Sequence, residues 1–71
     1  MDRNNIRIKF GKRLKQLRKA ANLSQEDFGR KATIHRTYIG SIERGEQNIS
    51  IDNIAKLAKA LKTTPKDLFD F

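Results

Sequence analysis

The chain has 71 residues, a formal net charge of +8, no cysteine, and 34% charged against 37% hydrophobic residues. That length allows one domain, 1–71, near the lower limit for a self-sufficient apolar core, and it excludes an interdomain catalytic cleft or a deeply buried cofactor. Neither disulfides nor thiolate metal sites are available, no stretch approaches the roughly 20 apolar residues of a membrane span, and Met1–Lys9 has no signal-peptide core, so the expectation is a cytoplasmic protein with no membrane association.

The first helix is expected from about Asn5 to Ala21. Ile6, Phe10, Leu14, Leu17 and Ala21 recur at spacings of three and four, a single apolar stripe. Asn22 suits a left-handed C-terminal position. Ser24 then caps a second helix over about 25–31, and Asp27, three residues on, completes a capping box. This helix buries Phe28 and Ala32. After a short break at Thr33–Ile34, a third helix begins at His35 or Arg36 and runs to Arg44, stopped by Gly45. Ser50 caps a fourth helix with the stripe Ile51, Ile54, Leu57, Ala58 and Leu61. Thr64 as cap, Pro65 at the first helical position and Asp67 closing a box announce a fifth helix, which contributes Leu68 and Phe69. Nothing alternates with period two, so the fold class is all-α with five helices.

Charge is unevenly placed along these elements. Residues 1–22 carry eight cations against Asp2 alone, residues 23–45 carry four against three acids, and residues 46–71 balance four with four. A basic N-terminal half beside a neutral C-terminal half suits a polyanion on one side.

Residues 24–44 form a capped helix, a turn too short for a hairpin loop, and a second helix. In that geometry the second helix can enter a major groove; an ordinary helical hairpin in a bundle is the alternative. At about 100° per residue, Tyr38, Ile39 and Ile42 share one arc of the third helix, with Glu43 at its edge. The opposite arc holds Arg36, Thr37, Gly40, Ser41 and Arg44, with no acid on it. Arg36 lies in the first turn, and its forked donors match guanine O6 and N7. Gly40 would let the backbone approach a duplex closely, or is simply a tolerated exposed glycine.

The stretch Leu23–Gly45, LSQEDFGRKATIHRTYIGSIERG, resembles the lambda-repressor/Cro-type helix-turn-helix, and the likeness continues through Ile49–Leu61 and TPKDLF. Within that family, HRTYI followed by IERG is similar to controller proteins of restriction–modification systems. The resemblance implies a five-helix lambda-repressor-like domain with the helix-turn-helix in helices 2 and 3. It also implies a sequence-specific regulator, repressing or activating and autoregulatory, that binds a palindromic site on double-stranded DNA as a homodimer. A prophage-type repressor, or an antitoxin whose C-terminal half grips a protein partner, is the alternative.

Position by position, the resemblance implies base reading by Arg36, Thr37 and Ser41. It implies backbone contacts by Gln25, Arg44, Gln47 and Asn48, with Gln25 otherwise a polar first-turn residue. His35 is a cap or phosphate-proximal group, since no second ligand for a metal is near it. Tyr38 packs in the core with its hydroxyl reaching a phosphate, or contacts the groove. Arg18 and Glu43 are implied to form a partly buried ion pair. The family has alanine where Gly29 stands, glycine where Thr33 stands, and serine or threonine where His35 stands. Ile49, Ile51, Phe69 and Phe71 are candidates for a dimer surface, unless they complete the monomer core. One histidine, no cysteine and no phosphate loop leave no catalytic set, so an enzyme is not expected, nor a cofactor, metal or small-molecule ligand.

Overall fold

The computed structural model describes residues 3–71, with side chains from Ile6 onward, so Asp2 and the Arg3 side chain of the basic segment lie outside the description. Five helices follow one another: α1 (Arg3–Ala20), α2 (Gln25–Ala32), α3 (Arg36–Glu43), α4 (Ile51–Ala60) and α5 (Pro65–Leu68). There is no strand among the described residues. No helix among them is long and apolar enough to cross a membrane. The apolar stripes converge on one core in which Leu14, Phe28, Ile39, Ile42, Leu57 and Leu68 are fully buried. Ile6, expected on the inner stripe of α1, is exposed.

The first four helices end alike. Asn22, Thr33, Gly45 and Lys62 all have φ between 56° and 79°. At each, the next residue's N–H returns to a carbonyl five residues earlier: Leu23 to Arg18, Ile34 to Gly29, Glu46 to Ser41 and Thr63 to Ala58. These 6→1 bonds satisfy orphan carbonyls and turn the chain sharply, so the connections stay short. Thr33 is the strained member. A β-branched residue held at φ 56°, ψ 42° carries a cost of about 1–3 kcal/mol that glycine would avoid.

The starts of the helices vary more. Ser24 Oγ accepts from Asp27 N–H at 2.9 Å and Ser50 Oγ from Asn53 N–H at 3.1 Å. Asp27 also pairs with Arg30, and its carboxyl lies below the usual range, first through its hydrogen bond to the Ser24 side chain. Thr64 is the N-cap residue of α5, as expected, but not through its side chain. That side chain makes no capping bond, and the neighbouring Thr63 hydroxyl donates to Asp67 instead. Arg13 fastens α5 from α1 by donating to the Asp67 carbonyl at 2.9 Å.

Two glycines mark where backbones touch. A Cβ on Gly11 would fall 2.4 Å from the Ile42 carbonyl oxygen, so α1 and α3 meet with no room for a side chain. A Cβ on Gly29 would fall 2.4 Å from the Ile34 carbonyl oxygen. That contact gives a physical reason for glycine at position 29: the tight turn at Thr33 folds the Ile34 carbonyl onto α2.

Thr33→Gly is expected to stabilise the protein by about 1 kcal/mol, read as a melting temperature higher by about 4–8 °C. Gly11→Ala is expected to lose about 1–3 kcal/mol through overpacking, measured by urea unfolding.

Candidate nucleic-acid interface

The site is organised around a buried ion pair. Arg18 Nε donates to Glu43 Oε2 at 2.7 Å and Nη2 to Oε1 at 3.1 Å, and the two side chains are 9% and 3% exposed. Arg18 Nη1 donates to the Leu23 carbonyl at 2.8 Å. Glu43 Oε1 also accepts from Gln25 Nε2 at 3.1 Å. One cluster thus ties α1, the α1–α2 turn, the first residue of α2 and the last of α3. Every buried side-chain nitrogen and oxygen among the described residues has a partner. A primary amide has two donors, so Gln25 keeps one N–H after serving Glu43.

At the start of α3, His35 is the N-cap, and its Nδ1 accepts the Thr37 N–H at 3.0 Å. An imidazole that accepts at Nδ1 carries its proton on Nε2 when neutral, leaving a donor free at the opening of the helix. Arg36 and Thr37 stand exposed beside it. Tyr38 is half-buried and packs against the core.

The expected outer arc of α3 is narrower than the helical wheel implies. Ser41 is only 7% exposed, with its hydroxyl donating to the Tyr38 carbonyl at 2.7 Å. Its short side chain lies on the flank nearest Tyr38 and is folded back on its own helix. Gly40 is also covered, beneath Gln25 and Arg44. The side chains open to a partner are therefore Arg36, Thr37 and Arg44.

Nor is this surface free of acids. Glu26 of α2 lies 3.4 Å from Arg36 Nη1, and Glu46 grips Arg44 through two hydrogen bonds of 2.8 and 3.2 Å. A wheel drawn for one helix omits both carboxylates, because they come from the preceding helix and the following loop. The spacing Arg44-Gly45-Glu46 around a helix-stopping glycine is the signal that could have revealed the second pair.

In the loop after α3, Gln47 is half-buried and Asn48 exposed. Both line a cavity with Ile6, Phe10, Ile49, Ile54 and Phe69. Of the four candidate dimer residues, Ile51 is 83% exposed and Phe71 55%, whereas Ile49 packs against the core. Phe69 is 43% exposed, with its ring centroid 4.9 Å from that of Phe10 and 6.3 Å from that of Phe71. Exposed Ile6 of α1 lines the same cavity as Phe69.

Comparison with known proteins places this arrangement among regulators. The helix-turn-helix family profile matches residues 14–68. Control protein C.BamHI of Bacillus amyloliquefaciens is 52% identical over 69 residues, covering 96% of this chain and 85% of that protein. Control protein C.MunI of Mycoplasma sp is 45% identical over 67 residues, 93% and 90% of the two chains. The restriction–modification controller protein C.AhdI from Aeromonas hydrophila superposes with a TM-score of 0.87 at 48% identity, over 89% of this chain and 96% of that one. The DNA-binding domain of the P22 c2 repressor superposes with a TM-score of 0.80 at 29% identity, over 83% and 78%. The fold is the lambda-repressor-like helix-turn-helix domain.

Removing one member of the buried pair strands the other charge. Glu43→Gln is expected to destabilise the protein by about 3–5 kcal/mol, read as a lower urea midpoint, and to change the base preference of the folded fraction much less. An unchanged midpoint with an altered preference would move Glu43 into the reading surface.

Proposed function

Because the chain belongs to the helix-turn-helix family of DNA-binding regulators, which are not enzymes, we propose that it is the controller of a restriction–modification system. It binds a palindromic operator as a homodimer in the cytoplasm and regulates its own transcription unit. The observation that carries this reading is the exposed pair Arg36 and Thr37 at the open end of α3, on a helix whose rotation the Arg18–Glu43 pair holds. Arg36 and Thr37 read base edges in the major groove, with Arg36 bidentate to a guanine. Gln25, His35 Nε2, Arg44, Gln47 and Asn48 contact the backbone, and the Tyr38 hydroxyl reaches it from the edge of the core. Ser41, proposed from the sequence as a base reader, serves in this reading as a packing residue that keeps the Tyr38 turn closed.

The dimer follows from affinity and from the apolar face. Phosphate contacts alone give binding on the order of 10⁻⁴ to 10⁻⁶ M at physiological salt, too weak to choose one operator. Two copies reading half-sites one helical turn apart, about 34 Å, double the contacts. Phe69, which stands against Phe71 and lines a cavity with Ile6, offers with them an apolar surface for that association, and Ile51 on α4 is a further exposed apolar side chain.

Selection from random duplexes tests the proposal, and a two-fold symmetric consensus is the expected result. On that consensus Arg36→Ala is expected to cost about 1–3 kcal/mol and to relax discrimination at one base position. Equal weakening on every duplex would make Arg36 a phosphate contact, and a failure to enrich any sequence would overturn the reading.

A further inference from the structure

The two guanidinium groups beside α3 each face a carboxylate of the same chain, but the pairs differ in kind. Arg36 and Glu26 make one contact of 3.4 Å. Arg44 is held on a whole edge: Nε donates to Glu46 Oε2 at 2.8 Å and Nη2 to Oε1 at 3.2 Å. Its remaining nitrogen is turned toward the protein. A Cβ on Gly40 would lie 3.2 Å from Arg44 Nη1 and 3.4 Å from Gln25 Oε1. The edge available to an outside anion is therefore Nε/Nη2, the fork that a phosphate takes in bidentate geometry, and Glu46 already occupies it. Glu46 is placed there by its backbone, which follows Gly45 at φ 79° and donates its N–H to the Ser41 carbonyl at 3.0 Å. Its carboxyl is held below the usual range and Arg44 above, in both cases first through the shared hydrogen bonds and then through charge.

We infer that Glu46 is an internal stand-in for a DNA phosphate, occupying the outward edge of Arg44 in the free protein and yielding it when a duplex docks. The inference deepens the DNA-binding reading above and rests on it. The contact made by Arg44 becomes an exchange of one anion for another, so its gain is the difference between two bidentate pairs. A phosphate that arrives out of register does not displace a carboxylate already well hydrogen-bonded. One that base reading has brought into register does. Glu46 thereby lowers binding to unrelated duplexes more than binding to the operator, which makes it a specificity-determining residue that touches no base.

A double-mutant cycle on the full chain tests this, with binding to the selected consensus and to an unrelated duplex measured across a salt series. Both residues are exposed, so Glu46→Gln and Arg44→Ala leave the core intact. Glu46→Gln is expected to tighten the unrelated duplex by about two- to fivefold, the size of an exposed ion pair, and the consensus by less. The slope of log K against log salt is expected to steepen by about one. In the Arg44→Ala background Glu46→Gln is expected to change neither quantity. Equal tightening in both backgrounds would make Glu46 a general negative charge and overturn the inference, as would weaker binding, which would make it a brace for Arg44. Those two outcomes leave a clear consensus and the DNA-binding reading standing, whereas wild-type protein binding every duplex alike would overturn both.

Discussion

Glu43 lies at the end of α3 and Arg18 in α1, 25 residues apart in the chain, and the reading surface depends on their meeting. The apolar contacts of α3, made by Ile39 and Ile42, are non-directional and would tolerate a small rotation of the helix. The ion pair does not. Turning α3 by one residue, about 100°, would leave a carboxylate and a guanidinium buried without partners, each at a cost of several kcal/mol. Desolvation offsets much of the pair's own attraction, so its value lies in register rather than in net stability. With Glu43 pinned inward, Arg36 and Thr37 face outward. Because Glu43 also takes a hydrogen bond from Gln25, the first residue of α2 is set by the same carboxylate.

Backbone constraints complete what the ion pair begins. Gly11 lets α1 touch the carbonyls of α3, and Gly29 lets the Ile34 carbonyl close over α2. Left-handed residues end the first four helices within a single turn. A chain of 71 residues has little core to spare, and these devices shorten connections and so limit the entropy lost on ordering them. The strain at Thr33 sits beside the turn that aims α3, where a precise backbone matters more than a relaxed one. The result is a rigid frame carrying a small set of exposed polar groups, the arrangement that sequence readout of a duplex requires.

Much of this was legible in the residues. Periodicity and caps located the start of every helix, and the end of the first three, to within one or two positions, because Ser24, Ser50, Asn22, Gly45 and Pro65 punctuate them with unambiguous chemistry. The Arg18–Glu43 pair followed from family likeness, not from spacing, since no local pattern links positions 18 and 43. What escaped were relationships that one helix cannot display. Ser41 fell on the outer arc of the wheel, yet its side chain bonds back to Tyr38 and is covered. Glu26 and Glu46 come from outside α3 and convert an acid-free arc into one whose arginines are both paired. Gly11 read only as a helical glycine outside any phosphate loop, because its reason lies in the backbone of α3 at Ile42 and Glu43. Thr64 caps α5 by position, but its side chain makes no capping bond, and the Asp67 carboxylate is engaged by the Thr63 hydroxyl.

The most direct test of the claim that α3 and the start of α2 form one reading surface is an amide map by NMR, taken as the selected duplex is added to labelled protein. The largest shifts are expected at Gln25, Arg36, Thr37 and Arg44, with the α4–α5 segment changing little. Shifts concentrated in residues 51–71, with α3 undisturbed, would place the duplex on the opposite side of the molecule and contradict the surface described here.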